Sequence, residues 1–87
     1  MNSKQENVLE DTKDLITTLH RKSEELKNNE GLRSMWLAKN DRLQKAIKLL
    51  TPDEHKEVEG AFLEWMGQNF PDALRTQNPP VFGTETT

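Results

Sequence analysis

Apolar residues recur at helical spacing along most of this chain, and few residues are present that would interrupt them. Val8, Leu15, Leu19 and Leu26 share one stripe, which Leu9 and Ile16 widen to roughly a third of the circumference, the width of a helix packed on a core. This spacing predicts a helix over residues 3–27. Asn28, Asn29 and Gly31 follow, residue types that tolerate the left-handed conformation ending a helix, so a tight helix–helix connection is expected there.

A second stripe, Leu32, Trp36, Leu43, Ile47 and Leu50, with Met35 and Ala46 on its flank, predicts a helix over 32–50. Its weak point is Lys39-Asn40-Asp41, where Asp41 and Gln44 carry the spacing of a local capping box, which leaves open whether the helix kinks or breaks near Asn40. A third helix is expected to start at Thr51 or Pro52. Thr51 and Glu54 stand three apart as a capping box, Pro52 occupies the first helical position, and Asp53 and Glu54 face the positive end of the helix dipole. Val58, Ala61, Phe62, Trp65 and Met66 supply its apolar face, and Gly67 to Pro71 end it.

Prolines occur only at 52, 71, 79 and 80, so nothing before residue 52 carries the strongest helix breaker. After Phe70 a short turn is expected, then a tail with two adjacent prolines and a threonine-rich end. The expected organisation is an all-α, three-helix domain over residues 1–75: a long helical hairpin, a shorter capped helix, and a flexible tail over 76–87. No internal repeat marks a second domain.

Composition then narrows the function. Of 87 residues, 32% are hydrophobic and 31% charged, a thin supply of core for a small domain. Such chains often complete their core against a second subunit or a partner. The absence of cysteine excludes a disulfide framework or thiolate metal site. The polar start is unlike a signal peptide, and no apolar run approaches the ~20 residues of a membrane span, so a soluble cytoplasmic protein is expected.

The stretch 49–66 concentrates chemistry-bearing side chains. His55 and Glu59, four apart, share a helix face and could each offer a metal ligand, but a stable site needs three or four. His55 reads instead as bordering the apolar face. Nucleophile motifs and glycine-rich phosphate loops are missing, which argues against an enzyme, a resident metal or a cofactor.

Charge is segregated. Between 32 and 50, Arg33, Lys39, Arg42, Lys45 and Lys48 stand against Asp41 alone; between 53 and 64, five carboxylates stand against Lys56. Lys39, Arg42, Lys45 and Lys48 recur every third residue and could contact phosphates, or else form a solvated face or pair with the acidic helix. The net charge of −3 and the lack of interleaved aromatics weigh against nucleic acid as the main partner.

Surplus apolar groups point instead to protein. Leu63 falls off its helix face, Leu9 and Ile16 lie at a stripe edge, and Phe70, Val81 and Phe82 lie outside any stripe. Such groups beside a polar rim are what protein-binding surfaces use. The expectation is a non-enzymatic regulator, inhibitor or adaptor, of the kind small bacterial or phage proteins provide. It would bind a protein partner or form a homodimer, with nucleic-acid association through the Lys39–Lys48 ridge as the alternative.

Overall fold

The computed structural model describes residues 1–75, and they are all-α. There are three long helices, α1 (Ser3–Arg21), α3 (Glu30–Lys48) and α4 (Pro52–Asn69), with the short helix α2 (Ser23–Asn28) between the first two and the short helix α5 (Pro71–Arg75) after the third. The expected 76–87 tail lies outside the described residues.

Each long helix starts on a side-chain cap. The expected Thr51 box is present: Thr51 Oγ1 accepts from the Glu54 amide at 3.1 Å, and Glu54 Oε1 accepts from the Thr51 amide at 3.0 Å. A second box opens α1. Asn2 Oδ1 accepts from the Gln5 amide and Gln5 Oε1 accepts from the Asn2 amide, both at 2.9 Å. Nothing in the apolar pattern pointed to it, because it lies ahead of the first stripe residue.

One expectation about helix breaks is corrected and one open point is decided. The first helix is interrupted at Lys22, and the chain turns there so that α2 packs on α3 and buries Leu26. No break occurs near Asn40, where α3 runs on and the Gln44 amide donates to Asn40 Oδ1 at 3.3 Å. Between α2 and α3, Asn29 is extended (φ −117°, ψ 103°) rather than left-handed. It serves as N-cap of α3, accepting from the Leu32 amide. The end of α2 is satisfied by Arg33, whose guanidinium donates to the carbonyls of Leu26 and Lys27.

α1 is the common neighbour of α3 and α4. It runs parallel to α4, since Asn2 and Gln5 reach Glu54 and Glu57 at one end while His20 stacks on Phe70 at the other. It runs antiparallel to α3, where the Trp36 indole donates to the Leu15 carbonyl at 3.1 Å and Lys4 reaches the Leu49 carbonyl. The core holds Val8, Leu15 and Ile16 from α1, with Leu43, Leu50, Val58, Phe62 and Met66 from the other elements. Thr12, fully buried, returns its hydroxyl to the Val8 carbonyl at 2.7 Å. Among the described residues every buried polar side-chain atom has a partner, and no helix is long and apolar enough to cross a membrane.

Candidate protein-docking surface

The sequence singles out six apolar residues for protein contact, and the structure separates them. Ile16 is fully buried in the core and presents no edge to a partner, a correction of the expected surface. The reason is that α1 has two helical neighbours, so its covered stripe is wider than one packing partner would require. Leu9 is half-buried against the same core. Phe70 is also half-buried: it stacks on His20 with ring centroids 4.7 Å apart, meets Trp65 edge-on at 5.5 Å, and lies under the Arg21 guanidinium. Leu63 remains exposed at 37%. Val81 and Phe82 lie outside the described residues.

The exposed apolar groups that the sequence reading passed over are on and just after α3. Met35 is 70% exposed, Leu37 55% and Leu49 71%. Leu37 was legible in principle: it directly follows the stripe residue Trp36, and so falls on the polar side by the same argument that singles out Leu63. Met35 looked like a flank residue of a packed stripe, and only the position of α1 shows that this flank stays open.

Beside Met35 an open groove of about 440 Å³ runs between α1 and α3. Its floor is Leu15, Leu32 and Trp36, its α3 rim Met35, Ala38 and Arg42, and its α1 rim Asp14 and Thr18. Lys39 closes one side through ion pairs with Asp14 and Asp11. The groove therefore combines an apolar bed with polar rims, the arrangement that seats a side chain or helix from another protein.

The basic ridge is partly neutralised. Lys39 is held by α1, and Lys45 pairs with Asp41 one turn away at 3.3 Å. Arg42 and Lys48 make no ion pair among the described residues and carry what positive field the ridge presents. The acidic helix does not supply the pairing partners.

The stretch that looked most like chemistry is instead a junction of helix starts. Glu54 accepts from the Thr51 amide, from Asn2 Nδ2 at 2.8 Å, and lies near Lys4 Nζ. These contacts, the Thr51 amide foremost and then Asn2, hold its carboxyl below the ordinary value, against the opposing effect of desolvation. Gln5, itself buried, donates to the Glu54 carbonyl at 3.2 Å and to Glu57 Oε1 at 2.7 Å. Among the described residues no three metal-ligating side chains converge. Comparison with known protein families, with curated proteins and with solved structures finds no match for this chain.

Proposed function

We propose that this chain is a non-enzymatic helical protein that acts by binding another protein, as a regulator, inhibitor or adaptor, and that the α1/α3 groove receives the partner. The observation that supports this most is Met35, a large flexible apolar side chain left 70% exposed on the rim of a groove floored by Leu15 and Trp36. Methionine suits such a site because its unbranched side chain adapts to the surface it meets. Arg42, without an ion pair of its own, supplies the adjoining polar contact and a preference for a carboxylate-bearing partner. The cysteine-free composition supports a reducing, cytoplasmic setting as part of the same reading.

The test is affinity capture from nuclease-treated extract of the producing cells, with immobilised wild type, Met35→Glu and Lys45→Gln side by side. A protein retained by wild type and Lys45→Gln but lost with Met35→Glu is the expected result. Retention by all three would remove the groove from the reading. Loss of all binding on nuclease treatment would favour the basic ridge and nucleic acid.

A further inference from the structure

Helix α4 has two opposite strips, one spent on the core and one unused by the fold. Val58, Phe62 and Met66, all fully buried, make the first. At about 100° per residue, Gly60 lies about 160° round from Phe62. Asp53, Lys56, Glu57, Leu63, Glu64 and Gly67 all fall within about 60° of Gly60, and all are exposed. His55 and Glu59, half-buried, lie on one flank outside this strip. The α1/α3 groove is elsewhere, lined from those two helices alone.

Three features of the exposed strip have no use within the chain. A Cβ at Gly60 would meet nothing within 4 Å, so packing does not require glycine there, although glycine weakens a helix interior. Leu63 is left 37% exposed. Lys56 and Glu64 make no ion pair among the described residues.

We infer that this strip docks a second copy of the chain, with the two α4 helices antiparallel and crossing at Gly60 on a two-fold axis. Charge selects the direction. Parallel helices in register would set Asp53, Lys56, Glu57 and Glu64 each level with its own copy, like against like four times. In the antiparallel arrangement a residue some distance before Gly60 stands level with the residue equally far after it. Lys56, four before, then meets Glu64, four after, and symmetry makes this pair twice. Glu57 falls level with Leu63 and Asp53 with Gly67, so no two like charges on the strip are level. Glu57 is in any case held by Gln5 at 2.7 Å.

The same crossing uses the glycine and the leucine. Without a Cβ at Gly60 the two backbones can approach closely where the helices cross. Leu63, about 4.5 Å along the axis, then sits over the notch between Gly60 and Lys56 of the other copy, against the lysine's methylene stem. One helix from each copy makes a small interface, so the association is weak and reversible.

Sedimentation equilibrium over micromolar to millimolar loading tests this. Wild type should show a monomer–dimer equilibrium that Leu63→Glu and Gly60→Gln each weaken tenfold or more. Circular dichroism checks that each variant keeps its helicity, and if Leu63→Glu loses it, Leu63→Ser takes its place. Charge exchange tests the direction. Lys56→Glu and Glu64→Lys should each weaken the dimer several-fold, and the two together in one chain should restore it. In a parallel pair neither single change would alter the balance of like charges. A wild type that stays monomeric throughout overturns the inference. So does a dimer indifferent to Gly60→Gln, or a double charge variant no stronger than the singles. None of these results bears on the α1/α3 groove, whose residues are unchanged in every variant.

Discussion

Two regions of this small protein use similar side chains to opposite ends. At the corner where α1 and α4 begin, Asn2, Lys4, Gln5, Thr51, Glu54 and Glu57 satisfy one another and the helix-start amides. On the open faces of α3, Met35, Leu37, Arg42 and Lys48 have no such use within the fold. A dense cluster of carboxylates and amides is thus spent on starting two helices side by side. The region with little apparent chemistry, a plain basic helix, retains the groups free to meet another molecule. Chemical richness in a sequence is a poor guide to function until the backbone groups demanding those side chains have been counted.

The sharpest way to break this comparison is through the buried edge of α1. Ile16→Ala should destabilise the fold by about 2–5 kcal/mol, as a fully buried isoleucine, while Leu63→Ala at the open face should stay within about 0.5 kcal/mol in dilute solution. Urea unfolding of the two variants reads both numbers, and equal costs would mean that Ile16 is exposed after all. At the corner, Gln5→Ala should cost about 1–2 kcal/mol, because it removes the bonds to Glu57 and the Glu54 carbonyl and opens the Asn2 box. Thr51→Ala should cost about 1 kcal/mol through the lost cap, with an unchanged midpoint counting against that box.

A smaller effect of opposite sign is expected at Gly60. It sits inside α4, exposed, and a Cβ built there meets nothing within 4 Å. Gly60→Ala should therefore stabilise by about 0.5–1 kcal/mol, seen as a raised thermal midpoint. The smallest effect concerns acid. The folded pKa of Glu54 lies below its ordinary value of 4.5. A depressed carboxyl contributes stability that is present above the unfolded pKa and is lost as pH falls through the folded one. Carboxyl titration by NMR should place the Glu54 midpoint below 4.5, and Asn2→Ala should move it upward. An unmoved midpoint would detach Asn2 from Glu54.

Much of the architecture was legible without coordinates because it is local. Stripe spacing gives the three long helices, and the Thr51-Pro52-Asp53-Glu54 start of α4 depends on residues three apart, within reach of any helix terminus. The turn at Lys22 was not legible, since nothing at that residue breaks a helix and the reason lies in packing α2 on α3. The absence of a break near Asn40 has the same origin, as a continuous α3 is needed to bring Trp36 to Leu15 and Lys39 to Asp14 in register with Leu43 in the core.

Of the candidate surface, the sequence determined that apolar residues exceed what the stripes absorb, and it placed Leu63 among them. Tertiary structure alone decided which stripe edges are covered. Periodicity states which residues share a face of one helix, but the number and direction of that helix's neighbours depend on the path of the whole chain. For that reason Ile16 is inside, Met35 is outside, and the basic helix meets α1 rather than the acidic helix that follows it in sequence.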